Sequence, residues 1–119
     1  MVLNATVAEP SRNSYLTVYP SDVGLPTASN VNFVPGQTVP NLVTVKVGAD
    51  GRVNVYNASG QTHVIFDIVG WYGTTSDGPP FTASPAVTAS VYGYQHPVAP
   101  KRILDTRDGT SAPAASCAR

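Results

Sequence analysis

Residues 15–72 read YLTVYPSDVGLPTASNVNFVPGQTVPNLVTVKVGADGRVNVYNASGQTHVIFDIVGWY. Within this stretch, short runs of β-branched and aromatic residues alternate with polar residues, and the runs end at turn residues such as Pro35 and Gly36. Successive side chains of a strand point to opposite faces, so this alternation gives each strand one apolar face. No part of the stretch has the spacing of an amphipathic helix. The sequence therefore predicts an all-β fold.

The clearest pair of strands lies on either side of the turn GADG at residues 48–51. Valines alternate with polar residues at 43–47 before the turn and at 53–56 after it. We expect these two runs to pair as a β-hairpin. A third strand follows a second turn at 57–60, and three strands joined by short loops predict a meander.

The third strand is apolar on both faces. Val64, Phe66 and Ile68 share one face, and the opposite face combines apolar and polar residues: His63, Ile65, Asp67, Val69 and Trp71. A strand of this kind belongs in the centre of a sheet that is covered on both sides. The pattern favours an antiparallel β-sandwich or a closed barrel.

The remaining sequence divides into a main domain, a linker and a second set of strands. A length of 119 residues is enough for one domain with its own core. We expect residues 1–73 to form the main β-meander domain and residues 74–80, TTSDGPP, to form a linker. Residues 81–119 then supply C-terminal strands that complete the same sheet or a neighbouring unit, and end in a loose tail.

Charge and composition exclude several classes of function. The seven basic and seven acidic residues cancel, so nucleic acid and anionic membrane surfaces are not expected partners. No apolar run is long enough to insert across a membrane. A single cysteine, Cys117, rules out an intramolecular disulfide. The first residues lack a signal-peptide pattern, which leaves an intracellular protein or an excised piece of an exported one, and we favour the second.

No constellation in the sequence predicts catalysis or metal binding. His63 and Asp67 lie on one strand face about 13 Å apart, too far for a direct acid–base pair. Nucleophile elbows and phosphate-binding loops are absent from the sequence. His63, His96 and Cys117 have no zinc-ligand spacing. We therefore expect neither an enzyme nor a cofactor.

The run Asp105-Thr106-Arg107-Asp108-Gly109 has two interpretations. Two carboxylates beside a turn are a fragment of a calcium loop, but the other oxygen ligands of such a loop are missing. We favour structural pairing, in which Asp105 binds Arg102 or Arg107 and pins a short strand to the body of the protein. Asp67 is expected to be buried and hydrogen-bonded in the same structural sense.

The sequence is also rich in aromatic residues for a neutral domain: Tyr15, Tyr19, Tyr56, Trp71, Tyr72, Tyr92 and Tyr94. Aromatic rings that stack on sugar rings are a common means of carbohydrate binding by β-sandwich modules. The candidate sugar-binding residues are Trp71, Tyr72, Tyr19 and Tyr56. The alternative is that these rings pack in the core or on strand surfaces, where β-propensity favours them.

Four phrases recur in order in a known family, LTVYP, ASNVNF, GQTVPN and DIVGWY, and a fifth, ILDTRDG, belongs elsewhere in the family's unit. The chain resembles the repeat domain of exported actinobacterial cell-surface proteins, which occurs in tandem or attached to secreted hydrolases. The resemblance covers about two-thirds of the chain. It implies export, β-structure and a surface role, with no particular reaction.

The order of the phrases departs from that family. There the ILDTRDG-like phrase opens a unit, whereas here residues 103–109 follow DIVGWY at 67–72. The chain is therefore the back of one unit and the front of the next, a circular permutant, or a unit that exchanges a strand between chains. We expect a non-catalytic surface or secreted module, a spacer or adhesion unit that binds a cell-wall or surface glycan. The alternative is a homo-oligomeric assembly element without a small ligand.

Overall fold

The computed structural model describes residues 1–73, 94–111 and 116–117. The strands are β1 (Val2–Ala8), β2 (Ser14–Pro20), β3 (Val31–Phe33), β4 (Val39–Thr44), β5 (Val53–Asn57), β6 (His63–Gly73), β7 (Tyr94–Asp105), β8 (Thr110–Ser111) and β9 (Ser116–Cys117). The linker predicted at 74–80 and residues 81–93 of the predicted C-terminal region lie outside the described residues. Within the described part of the chain, no helix is long and apolar enough to cross a membrane.

The strands form two sheets that pack face to face. The first sheet has the order β4-β1-β6-β7-β8, and the second has the order β3-β2-β5-β9. Neighbouring strands are antiparallel, except that β9 runs parallel to β5. The predicted all-β fold is confirmed, and of the two architectures left open by the sequence the β-sandwich is the one observed.

The core lies between the two sheets and is built from the inward faces of their strands. Leu3, Ala5 and Val7 of β1 have no exposed surface, and they meet Leu16 and Val18 of β2 in a single apolar cluster. The inward face predicted for β3 is also correct, because Val31 and Phe33 belong to that cluster. Alternation predicted these faces because one side of each sheet must exclude water.

The predicted hairpin and meander are wrong. β4 pairs with β1 in the first sheet, whereas β5 pairs with β2 in the second. The turn at 48–51, closed by hydrogen bonds from Gly48 N to Arg52 O and from Gly51 N to Gly48 O, both at 2.9 Å, carries the chain from one sheet to the other. Alternating valines point into the core from either sheet, so their pattern fits this crossing as well as a hairpin.

The C-terminal strand β7 pairs within its own chain. Residues 101–105 lie beside 65–68 of β6, and residues 94–97 lie beside 70–73. β6 is therefore central, between β1 and β7, as its apolar character predicted. Its inward residues Val64 and Phe66 are buried, and Ile65 on the opposite face is only 5% exposed.

Most of the tail that was expected to be loose lies outside the described residues, but two of its residues form a short strand. Ser116 and Cys117 pair with Asn54 and Val55 of β5. The backbone groups on the outer edge of β5 have no other strand beside them in the described residues, and a short added strand satisfies them.

Truncation of Leu3 tests this core. Leu3→Ala removes a fully buried side chain from the centre of the first sheet, and we expect a loss of about 2–5 kcal/mol in the free energy of unfolding. Leu42→Ala is the matched control, since Leu42 lies in the neighbouring strand with 64% of its surface exposed. Its expected effect is within about 0.5 kcal/mol. Chemical denaturation followed by circular dichroism measures both, and equal losses would contradict the assignment of the two faces.

Candidate functional site

The structure brings Asp67, Arg102, Asp105 and Arg107 together on the outer face of the first sheet; we call these residues the charge network. Arg102 lies opposite Asp67 across the β6–β7 pair. Its Nε donates to Asp67 Oδ1 at 2.9 Å, and its Nη1 donates to Asp105 Oδ2 at 3.2 Å. One guanidinium therefore links a carboxylate on β6 to another at the end of β7.

Asp105 is the centre of the charge network. Its side chain is only 1% exposed, and it accepts three hydrogen bonds from Arg107: from the backbone N at 3.0 Å, from Nε at 3.0 Å and from Nη2 at 2.7 Å. These bonds, the side-chain ones above all, hold the pKa of Asp105 far below its usual range although burial opposes the shift. Asp105 is therefore ionised at neutral pH.

Thr106 extends the contact between β6 and the turn after β7. Its backbone N donates to Val64 O at 3.1 Å, and its Oγ1 accepts from Val64 N at 2.9 Å. His63 Nδ1 lies 3.2 Å from the same Oγ1. His63 therefore contacts Thr106, whereas Asp67 forms an ion pair with Arg102. His63 and Asp67 do not interact as a pair.

The charge network is suited to fixing β7 rather than to chemistry. Both carboxylates are occupied by guanidinium groups, so neither is placed to take a proton from a substrate. Within the described ranges, no three His, Cys, Asp or Glu side chains gather as a metal site needs.

An open groove lies at the other end of the first sheet. Its volume is about 590 Å³, and its lining residues are Met1, Thr44, Val45, Lys46, Val47, Trp71 and Tyr72. The chain beyond β4 forms one wall and the last residues of β6 form the other. Met1 lies between them, where its backbone exchanges hydrogen bonds with Val45 at 2.8 and 3.0 Å. Two strand spacings separate the walls by about 9–10 Å.

An irregularity in β6 sets the position of Trp71. The register with β7 shifts between Ile68 and Gly70, and here the two backbones approach closely. A Cβ on Gly70 would lie 2.7 Å from the carbonyl oxygen of His96, so only glycine fits. The indole of Trp71 then stacks on the imidazole of His96, with 5.1 Å between ring centroids and 16° between planes. This stack holds Trp71 from one side and leaves it half-buried in the groove wall.

The four candidate sugar-binding residues do not come together. Trp71 and Tyr72 both line the groove, and Tyr72 is 52% exposed. Tyr19 and Tyr56 lie on the second sheet instead. Tyr19 is only 9% exposed, and Tyr56 packs against Tyr15 at 6.3 Å between ring centroids.

Sequence reasoning missed His96, Lys46 and Thr106. His96 meets Trp71 only through the shifted register of β6 and β7, which two separate irregularities make hard to read from the sequence. Lys46 looked like an ordinary polar position in a hairpin strand. The sequence indicated a role for Thr106 only through its position directly after Asp105.

Comparison with known proteins found no matching family model, no similar curated protein and no similar solved structure. The resemblance to a surface-protein repeat rests on the sequence phrases alone.

Replacement of Asp105 tests the charge network. Asp105→Asn leaves Arg102 and Arg107 without their shared carboxylate, and we expect the melting temperature at pH 7 to fall by about 10 °C. Since the folded protein lowers the pKa of Asp105, its stabilisation is complete above the unfolded value of about 3.9 and decreases as the pH falls below it. The difference between wild type and variant should therefore shrink at pH 3.

Thermal melts at both pH values check this prediction. Asp67→Asn is the control, because the Asp67 side chain is more exposed, at 21%, and Arg102 is its one side-chain partner among the described residues; its effect should be smaller. A gap between wild type and Asp105→Asn that stays constant from pH 7 to pH 3 would contradict the role given to the carboxylate.

Proposed function

We propose that the chain is a non-catalytic extracellular module of a bacterial surface protein, and that it binds carbohydrate in the groove beside Trp71 and Tyr72. One observation carries the proposal: two adjacent aromatic residues of β6 line the same open groove. Consecutive strand residues usually serve opposite faces. Both can line this groove because β6 continues past Val2, the first residue of β1, which lies opposite Gly70.

The groove has the size and lining of a small-ligand site. Its volume of about 590 Å³ falls within the usual range of roughly 300–1,000 Å³ for such sites. The lining is mostly apolar, and Thr44 and Lys46 add polar groups. Aromatic rings pack against the apolar face of a sugar while polar groups hydrogen-bond its hydroxyls.

The rigidity of Trp71 also supports a binding role. The His96 stack fixes the indole before any ligand arrives, so less side-chain entropy is lost on binding. Tyr72, at 52% exposure, can adjust to the shape of the ligand.

Composition and the family resemblance support the surface role. The low charge and high content of Thr, Ser, Asn and Gly suit an extracellular β-module, and the resemblance implies export. A spacer or adhesion unit of a longer surface protein is the role that fits both.

Assembly by strand exchange is the less supported alternative. It was motivated by a sheet that lacked a strand, but β7 pairs with β6 of the same chain over both of its halves. Light scattering at high protein concentration separates the two functions: the mass of a single chain favours the glycan-binding module, and a stable dimer favours exchange.

Replacement of Trp71 tests the proposed site. We expect Trp71→Ala to weaken binding of cell-wall oligosaccharides by about tenfold or more, because the main stacking surface is lost. Titration calorimetry measures the affinity of the variant. In the wild type, Trp71 is the single tryptophan of the chain, so its fluorescence reports directly on the groove.

Tyr56→Ala is the matched control, since it removes an aromatic ring from the other sheet. Its affinity should equal that of the wild type. Binding that survives Trp71→Ala but is lost in Tyr56→Ala would move the site to the second sheet. The absence of binding to any cell-wall saccharide would overturn the proposed function itself.

A further inference from the structure

We infer that the groove selects acidic saccharides, and that the ammonium group of Lys46 pairs with a carboxylate of the bound sugar. This inference rests on the proposed function and adds the chemical class of the ligand. It comes from the distribution of charge in and around the groove.

The described lining of the groove contains one charged side chain, that of Lys46, and no carboxylate. The ion pairs of the described residues all belong to the charge network at the opposite end of the sheet, and Lys46 takes part in none of them. The groove therefore presents a positive charge that none of the described residues neutralises there.

The two acidic residues that contact the turn after Lys46 have other partners. Asp50 accepts hydrogen bonds from Ser21 Oγ and from the backbone N of Arg52. These bonds, that of Ser21 foremost, lower the pKa of Asp50. Asp22 accepts from Ala49 N at 2.9 Å. Both carboxylates thus stabilise the turn at 48–51, which joins the two sheets, and both lie outside the groove lining.

The second cation at the groove is held in one place. The N-terminal ammonium of Met1 donates to Val45 O at 2.8 Å, and burial lowers its pKa. Lys46 is different, because its side chain is exposed between the buried Val45 and the half-buried Val47. Its flexible stem can bring the ammonium to a ligand that lies against Trp71.

The apolar lining strengthens an ion pair formed there. Val45, Val47 and the indole of Trp71 line the groove, so a ligand that lies against them displaces water beside the ammonium group and raises the attraction between opposite charges. A neutral sugar gains none of this attraction. The groove should therefore distinguish two sugars that differ only in charge.

A matched pair of ligands tests this selectivity. Oligogalacturonic acid and its methyl ester share the same sugar ring and chain length, but the ester lacks the negative charges. We expect the acid to bind about tenfold more tightly at low salt, measured by the fluorescence of Trp71 and by calorimetry. The preference should shrink in 0.5 M salt, because a partly exposed ion pair is screened.

The two lysines of the chain supply matched variants. Lys46→Gln should lose most of the preference for the acid, since only the held ammonium of Met1 remains at the groove. Lys101→Gln removes an exposed cation outside the groove and should keep the preference. Circular dichroism confirms that both variants fold. Equal binding of acid and ester by the wild type, or a preference that is undiminished in Lys46→Gln, overturns the inference and leaves the proposed function standing. Failure of these ligands and of neutral cell-wall oligosaccharides to bind overturns the proposed function as well.

Discussion

The sandwich depends on the need to pair both edges of β6. This strand is eleven residues long, and its backbone N–H and C=O groups need partners along its whole length because its middle is buried. β1, with seven residues, covers the first part of one edge. β7, with twelve residues, pairs with the other edge from Ile65 to Gly73. The difference in length between β1 and β7 gives the two ends of the first sheet different properties.

At the end where β6 begins, every element is held. β1, β6 and β7 lie side by side, and the charge network fixes the end of β7 to the sheet. The Arg102 guanidinium reaches both carboxylates, and Arg107 surrounds Asp105 with three donors. At the end where β6 finishes, β7 is the one described strand beside it, and Trp71 and Tyr72 line the open groove. The charge network holds one end of the sheet, and the less covered end leaves aromatic side chains at the groove.

Sequence reasoning predicted what depends on local pattern and failed where a pattern fits two topologies. Alternation predicted the strands and the inward position of Val31 and Phe33, because a strand with one buried face needs an apolar residue at every second position. It gave a false hairpin at 48–51, since valines on either side of a turn face one core whether the turn joins neighbouring strands or opposite sheets. Asp105 and Arg107 are two residues apart, so their pairing was readable. Trp71 and His96 meet through a register that two irregularities shift, and no local signal records it.

The false hairpin at 48–51 is also why the sequence did not predict the groove. A hairpin would make Lys46 one exposed residue in a row of strand residues, with β5 beside it. In the sandwich the chain leaves the first sheet after Thr44 and crosses to the second, so residues 45–47 become a wall that faces the end of β6. Lys46 and Trp71, far apart in the chain, then border the same space. The crossing is thus what places a positive charge beside an aromatic surface, two features that lie far apart in the sequence.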